Sequence, residues 1–421
     1  MAVAKLQKIW YYSVPSRVQL FYRKTIPMQI REVGNDSTLQ KEFLMLPVRL
    51  YEGNPYWIRP LDKDVAEVFD ANKNKFFADG ECIRWVVQDP RGQTVGRVAA
   101  FINHRTATKD NDQPTGGMGF FECVQDEAVA FLMFETCKKW LLARGMEAMD
   151  GPINFGERDQ HWGLLIEGYD QEPLYGMGYH FQYYKDFFEK YGFMEYFKQL
   201  TFSVAIEEGR CRAGMHPAVL ERAERIYNTP GYEFRHIEKS KLAQYAEDFR
   251  VVYNKAWAGH LGVGDMSKEK AVALMARMKP ILDEKLMWFG YYHDEPVAFF
   301  IMLPELNQVF KHMNGKLDWI GKLKFLYHKI LKTNTKAFGV IFGVTPEYQS
   351  KGVESAIAIA FTKLGWHPDF QYKDLELNWV GDFNVKMLRF SKMLGGVANK
   401  KHATYRFLFD RTKEFKRHRI I

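Results

Sequence analysis

One segment, FGVTPEYQSKGVESAIAIAF (342–361), has residue types and a spacing that suit binding of a phosphate-rich ligand. A hydrophobic run typical of a strand leads into a short polar loop that contains Gly352, and an apolar helical pattern follows. Backbone N–H groups in such a loop can point at an anion, and the helix dipole adds about half a positive charge there. Gly352 would let the backbone approach a pyrophosphate closely, and Lys351 would add charge.

The elements that must position this loop recur twice along the chain. The first series is a strand at 28–33, helices at 36–51 and near 61–71, a hairpin at 82–103, a strand at 119–124, a helix at 128–145, a strand after it, a helix at 183–193 and a closing strand at 200–206. The second series is a strand at 232–238, a helix, a hairpin at 285–303, a strand at 337–344, a helix at 350–366, a strand at 374–380, a helix at 384–396 and a strand at 403–409. A repeat of this length predicts a duplicated domain.

This order of elements resembles the GNAT superfamily of acyl-CoA N-acyltransferases. The run 349–354 is similar to the family's pyrophosphate loop, Q/R-x-x-G-x-G/A, except that Glu354 replaces a small residue. The run 384–395 resembles a later helix of the family, with Ser391 where a tyrosine often acts as general acid. The resemblance implies acyl-CoA or acetyl-CoA as co-substrate and no metal. It places the CoA contacts at Gly343, Val344, Gln349, Ser350, Lys351, Gly352, Val353 and Asn384.

The expected fold is α+β, with two tandem GNAT-like domains, each a central, mostly antiparallel sheet flanked by helices. The expected divisions are a basic aromatic extension (1–27), a degenerate GNAT-like domain (28–206), a linker (207–231), an acyl-CoA-binding domain (232–410) and a basic tail (411–421). The first domain has Gln125-Asp126-Glu127 at the loop position, without glycine, so it is expected to form part of the acceptor pocket.

The expected activity is direct transfer of an acyl group to an amine acceptor, including a lipid or amino-acid amine. Such a reaction needs a base for the amine and polarisation of the thioester carbonyl, which the resemblance assigns to a backbone N–H near Gly343 and Val344. Glu376 and Asn378 share one face of a strand beside the loop, and Asp382 follows it, so these three are the catalytic candidates. The alternative interpretation is that Glu376 is an ordinary carboxylate on a strand and that Asp382 only caps the following helix.

Two further segments carry candidate acceptor contacts. The segment 151–168 offers Asn154, Asp159 and His161, and 253–262 offers Asn254 and Trp257. A histidine near an aspartate can be a tuned base. Polar surface loops and a helix end packed on its core are the alternative interpretations.

Charge and cysteine content indicate which classes of binding partner and which cellular location to expect. The net charge is +8, and residues 308–337 hold seven lysines against one aspartate. The segment 311–336 alternates lysines with large apolar residues, which predicts peripheral contact with an anionic membrane, with a solvated covering helix as the alternative. No nucleic-acid recognition motif accompanies the charge. Four unpaired cysteines and the absence of a long apolar run favour a cytoplasmic protein, peripheral at the inner membrane face.

Two other functions stay open: a non-catalytic CoA- or lipid-binding GNAT fold, and a Fem-like transferase with an aminoacyl-tRNA donor.

Overall fold

The computed structural model describes residues 28–109, 111–257 and 265–420 of the 421-residue chain. Within them, the first half (28–206) contains β1 (Gln29–Glu32), α1 (Ser37–Leu50), α2 (Asp62–Val68), β2 (Gly80–Gln88), β3 (Thr94–Asn103), β4 (Thr115–Cys123), α3 (Glu127–Leu142), β5 (Ala148–Gly151), β6 (Leu164–Glu167), α4 (Tyr183–Tyr191) and β7 (Met194–Ala205). Helices α5 (Glu208–Gly214) and α6 (Pro217–Tyr227) follow.

The second half (232–410) repeats this plan within the described residues. It contains β8 (Tyr232–His236), α7 (Leu242–Trp257), α8 (Lys268–Met278), β9 (Met287–Tyr292), β10 (Glu295–Pro304), α9 (Asn307–Phe310), α10 (Trp319–Ile330), β11 (Lys336–Val344), α11 (Val353–Gly365), β12 (Asp374–Gly381), α12 (Val385–Met393) and β13 (Val397–Leu408). The sequence missed β6, α8 and the break between α5 and α6. The four-residue α9 is too short to give a periodic signal.

All described strands join one mostly antiparallel sheet with the order β1-β2-β3-β4-β5-β13-β7-β12-β11-β10-β9-β8, and β6 pairs with β13. The closing strands of the two halves are therefore exchanged. Strand β13 pairs with β5 of the first half, and β7 pairs with β12 of the second. The two exchanged strands also pair with each other at the centre.

Helices cover both faces of this sheet and bury its apolar residues. In the first half, α3 and α4 cover one face, and that core includes Tyr405 and Phe407 from β13. In the second half, α6 and α11 cover a core that includes Val204 from β7, while α7 and α8 cover a second core. Each exchanged strand thus fills the core of the other half, so burial of apolar area holds the two halves together.

Each half also opens a gap between two parallel strands. Strands β4 and β5 pair only from Thr115–Gly117 to Ala148–Asp150, and β11 and β12 only from Lys336–Gly339 to Asp374–Leu377. Beyond these residues the neighbours no longer pair, so the two parallel strands of each half splay apart. No helix among the described residues combines the length and hydropathy that a bilayer crossing requires.

Candidate active site

The 345–352 loop follows β11 and ends at Gly352, the N-cap of α11. Among the described residues, the backbone N–H groups of Lys351, Gly352 and Val353 have no hydrogen-bond partner. Unpaired N–H groups at the start of a 13-residue helix form a site for an anion, and the helix dipole strengthens it. The loop therefore has donors that fit the pyrophosphate predicted from the sequence.

Glu354, the departure from the family pattern, turns back onto this loop. Its Oε1 accepts a hydrogen bond from the N–H of Ser350 at 2.8 Å. The carboxylate therefore takes one backbone donor that an anion would otherwise use, and it adds a negative charge beside the site. Gln349 is also engaged, because its Nε2 donates to the carbonyl of Val344 at 2.9 Å. The loop is thus braced by its own side chains.

Gly352 is required here for a reason that the sequence did not reveal. Its φ is +106°, and a Cβ at this position would lie 3.1 Å from both the Cβ and the carbonyl oxygen of Arg222 on α6. The guanidinium of Arg225, also on α6, donates to the carbonyl of Lys351 at 2.7 Å. Helix α6 therefore packs directly against the loop and brings two arginines beside Lys351.

Glu376, the predicted base, is an ion-paired residue in the centre of the sheet. It is 1% exposed, and its carboxylate accepts from Lys400 Nζ at 2.7 Å and from Asn399 Nδ2 at 3.0 Å. Lys336 Nζ lies 3.4 Å from the same group. The protein itself thus supplies the hydrogen-bond donors of this carboxylate.

The neighbouring candidates also have local partners. Asn378 Oδ1 accepts from the N–H of Trp379 at 2.8 Å, and Asp382 pairs with Arg417 at 2.7 Å. Asn384, not Asp382, caps α12, because its side chain accepts from the N–H of Met387. These contacts fix the turn between β12 and α12.

Asn254 holds the chain on either side of a gap in the described residues. Its amide donates to the carbonyl of Met266 at 3.1 Å and accepts from the N–H of Met266 at 2.8 Å. Trp257 is the last residue of α7, and its side chain lies outside the described residues, as do residues 258–264. The prediction for Trp257 therefore has no structural counterpart.

A cavity of about 60 Å³ lies at the first-half splay. Phe120 and Glu122 of β4 and Pro152, directly after β5, line it together with His161 and His180. At Phe120, which has φ +51°, the pairing of β3 with β4 shifts register. This bulge places the side chain of Glu122 on β4 at the cavity.

Glu122 is the centre of a buried polar network in this cavity. The hydroxyls of Tyr51 and Tyr184 each donate to its Oε2 at 2.8 Å. Arg97, its cross-strand partner, lies 3.8 Å from its Oε1. Burial raises the pKa of Glu122 to about 7, although Arg97 and the two tyrosines oppose that shift.

His161 lines the same cavity from the 151–168 segment, which is called the acceptor segment below because it carries candidate acceptor contacts. Its ring centroid lies 5.3 Å from that of Phe120, and neither ring nitrogen has a hydrogen-bond partner among the described residues. Burial, together with the charge of Arg97, lowers the pKa of His161 to about 4. The imidazole is therefore neutral at pH 7, and one of its ring nitrogens can accept a hydrogen bond. Asn154 is buried with an unpartnered Oδ1, whereas Asp159 is exposed.

The acceptor segment also reaches the second half. A second cavity of about 20 Å³ shares His161 with the first and is lined by Asn307 and Phe310 of the second half. The indole N–H of Trp379 on β12 donates to the carbonyl of Arg158 at 3.1 Å. Three residues span at most about 11 Å, so the backbone of His161 lies near the second-half splay as well as the first.

The sequence did not identify Arg97, Glu122, Tyr51, Tyr184 or the buried Glu305. Glu305 Oε1 accepts from the N–H groups of Tyr175 and Asn307 at 2.9 Å, and burial raises its pKa to about 7. A usable signal was present, because Arg97 and Glu122 are charged residues inside apolar strand segments. Charged residues at such positions are rarely buried without a partner.

No family model matches the sequence. A protein named bacterial ceramide synthase from Caulobacter vibrioides is 26% identical over 369 residues, covering 87% of this chain and 94% of the relative. Protein YghO of Escherichia coli is 25% identical over 380 residues, covering 89% and 94%.

Two solved structures show the same fold at low identity. The tandem GNAT protein from the clavulanic acid biosynthesis pathway has a TM-score of 0.52 and 10% identity, covering 92% of this chain and 100% of that one. A GCN5-related glucosamine N-acetyltransferase region in a fungal β-N-acetylglucosaminidase has a TM-score of 0.52 and 12% identity, covering 90% of this chain and 38% of that larger one.

The chain has the tandem GNAT fold, so the prediction made from its element order is confirmed. That fold and the relative named a ceramide synthase agree with the predicted acyltransferase class.

Proposed function

We propose that this protein is an N-acyltransferase that moves an acyl group from acyl-CoA to the amine of a long-chain amino alcohol. The observation that carries the proposal is the similarity to a protein named bacterial ceramide synthase, which extends over both halves and 94% of that relative. A ceramide is an amino alcohol acylated on nitrogen. The reaction forms an amide bond as the thioester C–S bond breaks, and the amine proton must leave.

The two halves divide the work in this proposal. The 345–352 loop supports the donor side, because its free N–H groups and the basic residues of α6 suit a pyrophosphate. The acceptor segment supports the other side, because it lines two cavities that share His161, and the second cavity is also lined by residues of the second half. His161 is our candidate for the group that accepts the amine proton, because its side chain lines both cavities and its ring nitrogens have no hydrogen-bond partner among the described residues.

Purified protein incubated with a fatty acyl-CoA and a long-chain amino alcohol tests this proposal. We expect an N-acyl product by mass spectrometry and release of one free CoA thiol for each amide formed. Thiol release without amide would mean thioester hydrolysis and would contradict the proposal.

A thermal-shift titration with CoA separates the remaining alternatives. A ligand at about 100 times its Kd stabilises the fold by about 2.7 kcal/mol, which such a titration detects. Stabilisation by CoA without turnover of any amine would identify a non-catalytic CoA-binding protein. The absence of any shift would remove the donor assignment.

A further inference from the structure

Helix α10 presents apolar side chains to solvent rather than to the core. Trp319, Leu323 and Ile330 are 70%, 57% and 68% exposed, and they lie on one face of the helix at a spacing of three to four residues. The apolar stripe, as this face is called below, consists of Trp319, Ile320, Leu323, Leu326, Tyr327 and Ile330. A contiguous exposed patch of this kind marks an interaction surface.

The opposite, narrow face fixes the helix to the protein. Phe325 packs there against Phe310 of α9, with ring centroids 6.3 Å apart. Lys324 Nζ donates to the carbonyl of His312 at 2.9 Å, and Lys329 Nζ donates to the carbonyl of Pro280 at 2.7 Å. The helix is therefore anchored, and the apolar stripe faces outward as a fixed surface.

The charge around the stripe selects its partner. Lys316, Lys322 and Lys332 are exposed and form no ion pair within the described part of the chain. Asp318 is the single acidic residue between 308 and 337, and its side chain caps α10 by accepting from the N–H of Gly321. An apolar surface ringed by cations matches an anionic bilayer, whereas a second copy of this surface would bring lysines against lysines.

We propose that α10 is an interfacial helix that docks the protein on an anionic phospholipid bilayer, with its apolar stripe at the acyl boundary. The same helix leads inward to the candidate site, because Phe310 contacts Phe325 and also lines the cavity that holds His161. Resting on the proposed function, docking through α10 would hold the cavity lined by His161 close to membrane-dissolved amines.

Sedimentation of the full chain with vesicles tests the docking proposal. The vesicles contain phosphatidylcholine alone or phosphatidylcholine mixed with phosphatidylglycerol. The stripe variant is L323Q/L326Q/I330Q. Its matched control, L142Q/V272Q/V385Q, removes three exposed apolar side chains that lie apart from one another. We expect wild type and control to bind the phosphatidylglycerol vesicles, and the stripe variant to bind at least about tenfold more weakly.

The charge variant K316E/K322E/K332E should lose binding mainly on the anionic vesicles. Equal vesicle binding by the stripe variant and wild type would overturn the proposal. So would a wild-type dimer in solution that the stripe variant converts to a monomer, because the stripe would then be a subunit contact. Acylation of a water-soluble short-chain amine should be the same in both proteins, so loss of docking is distinguishable from loss of activity.

Discussion

The ammonium of Lys400 lies 2.7 Å from the carboxylate of Glu376, although β7 separates the strands that carry them. Lys400 is on the exchanged strand β13, and Glu376 is on β12. Both residues are almost fully buried, at 2% and 1% exposure. Both β12 and the closing strand β13 belong to the second half. The ion pair therefore joins two strands of the second half across β7, which the first half contributes.

Lys400→Met should destabilise the fold by about 3–5 kcal/mol, because it removes the closest partner of a buried carboxylate. The double variant E376L/K400M should recover much of that loss, because it leaves no unpaired charge in the buried centre of the sheet. Lys336, the second cation beside Glu376, is 30% exposed and can be solvated by water. Urea denaturation measures both. If Glu376→Gln instead abolished acylation while folding and stability stayed normal, Glu376 would be the general base that the sequence suggested.

Lys351→Glu should weaken CoA binding about tenfold or more, because it replaces a cation beside the free N–H groups by an anion. Lys363→Glu is the matched control. Both lysines lie at α11, and each ammonium lies over a tyrosine ring, at 5.3 Å for Lys351 and 4.5 Å for Lys363. Calorimetric titration with CoA compares the two. Gly352 is a poor probe, since its positive φ and its contact with Arg222 make any side chain strain the fold.

His161→Asn should lower kcat for amide formation by about 10²–10⁴-fold, the usual contribution of a general base. Asparagine tolerates the positive φ of 49° at this position, so the backbone should be preserved. Stability should change little, because the imidazole nitrogens have no partners among the described residues to lose. His367→Gln, at an exposed position, is the control.

A merely structural role for His161 would leave the pH profile of kcat unchanged. If His161 is the base, the kcat of wild type should fall as the pH drops through about 4, the pKa of His161. His161→Asn should lack this fall. Full activity in His161→Asn would remove this residue from the reaction.

Glu122→Gln should flatten part of the pH dependence of stability. The native pKa of about 7 lies above the ordinary carboxyl value of about 4.3, so the folded state keeps a proton that the unfolded chain has lost. Stability from Glu122 is therefore greatest at low pH and falls as the pH rises from about 4.5 to about 7. Relative to Glu122→Gln, the free energy of unfolding of wild type should fall by on the order of 2 kcal/mol between those two pH values.

Urea denaturation at several pH values checks this prediction. His161, His180 and His402 have lowered pKa values and the opposite pH dependence, but they are present in both proteins and cancel in the comparison. Glu32→Gln on β1, an exposed position, is the control. It should lose the same amount of stability between the two pH values as wild type does. A constant gap between wild type and Glu122→Gln at every pH would show that the pKa of Glu122 is the same in the folded and unfolded states.

The sequence predicted most element types, because periodicity and turn residues are local signals. It could not predict which strands pair. The segments 200–206 and 403–409 each look like the last strand of their own half, and nothing in either alternation pattern specifies the neighbour. For the same reason the contact between Glu376 and Lys400 was invisible, since it depends on the exchange.

The candidate site divides in the same way. The 345–352 loop and His161 could be predicted as candidates because their signals lie within a few consecutive residues. Glu122 was missed because its meaning depends on Arg97, Tyr51 and Tyr184, which other elements bring to it. Candidate residues within one short segment could be predicted from the sequence, whereas a group of residues from several elements could not.

The strand exchange also governs how this chain can be made. Asp150 on β5 and its partner Arg406 on β13 are 256 residues apart in sequence, so β5 keeps an open edge until β13 has been synthesised. An unpaired strand edge invites pairing with other nascent chains. Truncation before residue 397 would leave that edge permanently exposed, so a chain that lacks β13 should pair with other chains and aggregate.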